Sequence, residues 1–201
     1  MPPILYVDDN GNRFRLPYGA EGRTFPAGGR VCREVCTERD HFNAGGIYYE
    51  LPAENAHGFF GVRPVATHNL PICDYVSWRG LFVMALPGEL KLMAVDDLWS
   101  LGKVRGFGGP WKGDSVVADV PSDPYLMNGF DRKTVIMTAD RRVTIRLEVD
   151  VDGWGTWVEA GAYELSPDAP LTVGLPQAFG GYWIRAVASD DCVASVQLHY
   201  D

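Results

Sequence analysis

Apolar residues occupy every second position at Val143, Ile145, Leu147 and Val149, with Thr144, Arg146, Glu148 and Asp150 between them. A period of two is the mark of a strand with one face buried. The cluster Asp150-Val151-Asp152-Gly153-Trp154-Gly155 follows, then a β-branched and aromatic run from Thr156 to Leu165, so the whole reads as a hairpin. Cys192, Ala194, Val196, Leu198 and Tyr200 alternate in the same way. With Lys133 to Ala139 and Gly181 to Ala188 as further strands, the chain from Pro121 onward is expected to form an antiparallel β-sandwich of immunoglobulin-like type.

The N-terminal half is expected to be β-rich too. Ile4 to Val7 and Arg13 to Leu16 flank Asn10-Gly11, a strong hairpin-turn pair. Val31 to Thr37, Ile47 to Leu51, Phe59 to Val62 and Leu81 to Met84 supply more strands between Gly, Pro, Asn and Asp corners. Leu90 to Leu101 fits two templates, because Leu90, Met93, Ala94, Asp97, Leu98 and Leu101 have helical spacing while Leu90, Leu92 and Ala94 alternate. The Gly- and Pro-rich segment from Gly102 to Pro124 is the candidate boundary, giving 1–120 and 121–201 as regions of one or two domains. That segment also reads as a long ordered loop inside a single fold. No internal repeat of fixed period occurs, although the strand-rich segments rich in Gly and Trp would suit pieces of a propeller or stacked sheets.

Composition narrows the possible partners. The 201 residues carry 26 acidic and 18 basic side chains, a formal charge of −8 with no basic run, which disfavours nucleic acid. No apolar stretch is long enough to span a bilayer, Leu81 to Leu86 being stopped by Pro87-Gly88, so no membrane role is expected. Met1-Pro2-Pro3 opens no export signal, and an extracellular or periplasmic location remains an open expectation. Cys32 and Cys36 on one strand would stand about 13 Å apart, beyond disulfide reach. With Cys73 and Cys192 distant, free thiols are expected in preference to a zinc site.

Polar density peaks between Arg30 and Arg79, and the candidate catalytic carboxylates there are Glu34, Glu38, Glu50 and Asp74. Glu34 and Glu38 on one strand would be about 13 Å apart, too far for a retaining glycosidase pair at about 5 Å, so a pair would combine one of them with Glu50 or Asp74. His41, His57 and His68 lack metal-ligand spacing. Asp150 and Asp152 resemble the start of a calcium loop, but Trp154 stands where a third oxygen would be and no closing glutamate follows. No cofactor is expected, and calcium is the one metal this pattern would admit.

Two of the six tryptophans stand among turn residues: Trp111 in Gly109-Pro110-Trp111-Lys112-Gly113, and Trp154 between glycines at the expected hairpin tip. Exposed indoles suit sugar rings, whose C–H faces are apolar and whose edges carry hydroxyls, and both are the ligand-binding candidates; the competing reading is that each folds back over a sheet end as a lid on the core. Trp78, Trp99, Trp157 and Trp183 lie in apolar stretches and are expected in the core.

Arg33-Glu34-Val35-Cys36-Thr37-Glu38-Arg39, Ile47-Tyr48-Tyr49-Glu50-Leu51-Pro52 and Pro121-Ser122-Asp123-Pro124-Tyr125-Leu126-Met127 are similar to stretches in C-terminal regions of uncharacterised bacterial β-rich proteins. The similarity covers most of the chain and implies a bacterial origin and a β-rich piece of something larger. It brings no established activity. Three functions stay open: a carbohydrate-binding or ancillary β-sandwich module of a glycan-processing system, a carboxylate-dependent glycan-cleaving enzyme, or a structural or assembly module without a small ligand. Oligomeric state is undetermined at this level, and so is catalysis.

Overall fold

The computed structural model describes residues 4–8, 10–19, 31–34, 39–52, 62–167 and 169–201, with backbone alone at 31–34, 39–40 and 52. The protein is mainly β, in several largely antiparallel sheets. Its strands in chain order are β1 (Ile4–Val7), β2 (Arg13–Leu16), β3 (Val31–Glu34), β4 (Arg39–Ala44), β5 (Ile47–Pro52), β6 (Arg63–Thr67), β7 (Asp74–Trp78), β8 (Leu81–Leu86) and β9 (Glu89–Ala94). After a 3-10 helix, Val95–Ser100, come β10 (Gly106–Val116), β11 (Tyr125–Leu126), β12 (Lys133–Ala139), β13 (Val143–Asp150), β14 (Trp157–Leu165), β15 (Leu171–Gly174), β16 (Trp183–Ala188) and β17 (Cys192–Tyr200). No helix among the described residues is long and apolar enough to cross a membrane.

The chain divides into two compact units, Met1–Pro17 with Phe107–Asp201, and Tyr18–Gly106. The N-terminal hairpin thus belongs with the C-terminal strands, since β2 pairs in parallel with β11 at Arg15 and Tyr125. The Gly102 to Pro124 segment holds the eleven-residue strand β10.

The first unit contains a six-stranded sheet, in order β1-β2-β11-β16-β13-β14, and a four-stranded sheet, β10-β17-β12-β15. The alternation predicted on β13 and β17 is the burial observed: Val143, Ile145, Leu147 and Val149 on one, Cys192 to Tyr200 at every second residue on the other. Tyr200 of the four-stranded sheet donates its hydroxyl hydrogen to the Leu126 carbonyl of the six-stranded sheet at 2.7 Å. Its ring also stacks on Phe130 at 4.2 Å. Lys133 is buried, with Nζ donating to the Phe130 carbonyl at 2.6 Å and the Phe179 carbonyl at 3.2 Å, and burial pulls its amine below the ordinary value.

The second unit is built from two meanders, β3-β4-β5-β6 and β7-β8-β9. Tyr48, Tyr75, Phe82, Met84 and Leu98 belong to its buried core, where Tyr48 meets Tyr75 and Phe82 edge-on at 5.4 and 5.3 Å. The two templates that fit Leu90 to Leu101 each account for part of it. Pro87-Gly88, with Gly88 at φ +82°, turns the chain back so that β9 pairs with β8, and the helical portion is the short 3-10 turn. Of the expected Phe59 to Val62 strand, residues 59–61 lie outside the described residues; Val62 immediately precedes β6.

Close approach of β10 to β17 yields a test. A Cβ on Gly109 would collide with the Val196 carbonyl and the Gln197 Cα, and neither is a flexible side-chain tip. Gly109→Ala is therefore expected to cost about 3 kcal/mol or more, read as a lowered denaturant midpoint.

Candidate functional site

The turn joining β13 to β14 is fixed by two aspartates. Asp150 and Trp157 are cross-strand partners, and Gly153 and Gly155 between them take φ of +79° and +89°. Such angles favour glycine, which is why the sequence signals a turn here. Asp150 is buried; its Oδ1 accepts from the Gly153 N–H at 2.9 Å and its Oδ2 from the Gly155 N–H at 3.0 Å. Asp152 accepts from the Trp154 N–H at 2.9 Å and from the Thr156 hydroxyl at 2.7 Å. Burial pushes the Asp150 carboxyl above its ordinary range, whereas the Thr156 hydroxyl holds that of Asp152 below it. The backbone is thereby held in one shape, and Trp154 stands 59% exposed upon it.

The sheet beside this turn carries an ordered polar row. The Arg185 guanidinium lies over the half-buried Trp157 ring at 4.1 Å from its centroid. Arg185 Nε donates to Glu148 at 2.7 Å, and Arg146 Nε donates to the other Glu148 oxygen at 3.0 Å. Burial raises the Glu148 carboxyl, but the hydrogen bonds from Arg185 and Arg146 outweigh that and leave it below the ordinary value. An apolar ring with directed donors and acceptors nearby is what binding a hydroxylated ring requires.

Trp111 does not share this position, which corrects the expectation that it stands at the rim. It is 5% exposed on β10, and its carbonyl accepts from Gln197 Nε2 at 2.6 Å. Gly109 lets β10 press against β17, so a segment that reads as loop is a strand with its indole turned inward. Trp183 is in the core as expected, whereas Trp78 and Trp99 are exposed. Both carboxylates of the suggested calcium loop are engaged within the turn, and no group of three or more candidate metal ligands occurs among the described residues.

The candidate carboxylates fall apart from one another. Glu50 is buried on β5, where the register sets it between His41 on β4 and Arg63 on β6. Arg63 Nη2 reaches Glu50 Oε2 at 2.6 Å. Asp74 is exposed at the start of β7 and accepts from the Tyr75 N–H at 2.9 Å. Glu34 ends β3 with its side chain outside the described residues, and Glu38 lies outside them entirely. The His41–Glu50–Arg63 row is visible only once strand register is known. Cys73 and Cys192 are free thiols, and burial pushes that of Cys192 up; nothing is described of the Cys32 and Cys36 side chains.

No protein-family model matches the chain, and no curated protein does. Among solved structures, the crystal structure of PirA is similar over 48% of this chain and 84% of its own, at 17% identity and a TM-score of 0.26. A likeness that loose carries no argument about fold or activity.

His68 makes the second unit acid-sensitive. Its Nδ1 accepts from the Leu70 N–H at 3.3 Å, so Nε2 carries the proton and donates to Asn43 Oδ1 at 2.8 Å. Burial pulls the imidazole from 6.5 to about 4. Above pH 6.5 both folded and unfolded chains hold it neutral; as pH falls towards 4 only the unfolded chain gains the proton, and stability is lost. The loss is expected to reach about 3 kcal/mol. Denaturant midpoints measured between these pH values should fall for the wild type and fall less for His68→Gln.

Proposed function

We propose that the unit formed by 1–17 and 107–201 is a β-sandwich carbohydrate-binding or ancillary module of a glycan-processing system, with Trp154 as its stacking platform. The observation that carries this reading is an exposed indole on a turn locked by Asp150 and Asp152. Because the turn is already tied by hydrogen bonds to Asp150 and Asp152, stacking a sugar on it costs less ordering entropy than stacking on an untied loop. The Trp157–Arg185–Glu148–Arg146 row supplies donors and acceptors suited to hydroxyls. The sandwich form is supported by the two sheets of this unit, their alternating burial and the Tyr200 to Leu126 hydrogen bond.

The glycan-cleaving alternative has less support. Its buried carboxylate, Glu50, is engaged by Arg63, and Asp74 sits on a different sheet.

A polysaccharide-affinity gel or glycan array checks the proposal with three proteins. Wild type should be retarded or retained, and Trp154→Ala should lose affinity at least about tenfold while its stability changes by less than about 0.5 kcal/mol. Trp111→Ala should instead lose about 3 kcal/mol or more of stability, because it empties a buried site. Retention unchanged by Trp154→Ala would defeat the proposal.

A further inference from the structure

The three-stranded sheet of the second unit has one face in the core and one face open. Tyr75, Phe82 and Met84 point inward. Cross-strand register assigns Val76 and Trp78 on β7, Leu81 and Val83 on β8, and Leu90 and Leu92 on β9 to the opposite side. Leu90 is 67% exposed, Trp78 60% and Leu92 58%. A strand patterned as Val76-x-Trp78 or Leu90-x-Leu92 is made to be covered, since solvated faces of antiparallel sheets ordinarily carry polar residues. The apolar side chains on this face expose on the order of 600 Å², at the top of the range of about 300–600 Å² for the largest patch on a monomer.

Area and charge both point to a second copy as the cover. Two such faces pressed together would remove roughly 1,200 Å² from water, the lower end of the range of about 1,200–2,000 Å² for specific interfaces. The charged group that the register places on the face is Asp74, at one end of β7. At the other end, the hairpin Trp78-Arg79-Gly80-Leu81 holds Arg79 with φ +50°, and its guanidinium lies over the Trp78 ring at 5.1 Å. A twofold axis running across the strands would bring the Asp74 end of each sheet over the Arg79 end of the other. An axis along the strands would instead set β7 of each over β9 of the other, with Asp74 facing the apolar Leu90 and away from Arg79.

We propose that this face is a self-association surface, in which two copies pack their β7-β8-β9 sheets face to face about a twofold across the strands, with Asp74 of each opposing Arg79 of the other. Apolar contact supplies the affinity, and the crossed charges select the orientation. None of these residues belongs to the Trp154 site, so the two proposals stand or fall separately.

Sedimentation equilibrium of the whole chain over about a thousandfold dilution tests it by mass action. A reversible dimer in the micromolar range is expected. Leu90→Lys with Leu92→Lys should raise the dissociation constant at least about a hundredfold with an unchanged far-ultraviolet circular dichroism spectrum, and Trp78→Lys serves in their place if that spectrum changes. Asp74→Arg should weaken the dimer about tenfold, and adding Arg79→Asp should restore it. A monomer at every concentration, a dimer indifferent to the lysine substitutions, or a charge exchange that fails to restore affinity would overturn the proposal.

Discussion

The buried carboxylate of Asp150 accepts hydrogen bonds from Gly153 and Gly155, while its backbone carbonyl accepts one from Tyr182 at 2.8 Å. One residue therefore ties the end of β13, the turn after it and the approach to β16. Without those acceptors, two turn N–H groups, one half-buried and one exposed, would turn to water instead, a loss of about 0.5–1.5 kcal/mol for each. Asp150 and Asp152 together thus hold the backbone on which the solvent-exposed Trp154 stands. The alternating strands on either side supply the rigid frame that makes this local geometry reproducible.

Much of the frame was legible in the sequence, because period-two alternation depends on residues within one strand. Val143 to Val149 and Cys192 to Tyr200 bury the residues that the alternation assigns inward, and Asn10-Gly11 forms its hairpin with Gly11 at φ +82°. The turn holding Trp154 was legible for the same local reason, through Asp and Gly at the positions a tight reversal needs. Trp111 was misread because Gly109-Pro110 resembles a corner, whereas the glycine here permits two backbones to approach closely. Nothing local distinguishes those cases. The pairing of β2 with β11 joins positions over a hundred residues apart, and no periodicity could reveal it.

The second unit contrasts with the first in where it places its polar and apolar groups. It buries His41 and Glu50 in a cross-strand row while leaving Trp78, Leu90 and Leu92 outside. The expectation that Trp78 and Trp99 lie in the core followed from their apolar neighbours, and hydropathy alone cannot assign the side of a sheet that faces the core. Only the register of β7, β8 and β9 shows that the apolar residues fall on two faces, one used within the unit and one left open. An open apolar sheet face and an exposed indole on a hydrogen-bonded turn are different kinds of surface.

Indole N–H resonances offer the most direct view of the central claim, because each tryptophan reports separately in a proton–nitrogen correlation spectrum of the labelled protein. Titration with a binding polysaccharide should shift the Trp154 resonance progressively and leave that of the buried Trp111 in place. A Trp154 resonance that stays fixed while the polysaccharide is bound, or shifts confined to Trp78 and Trp99, would contradict the account.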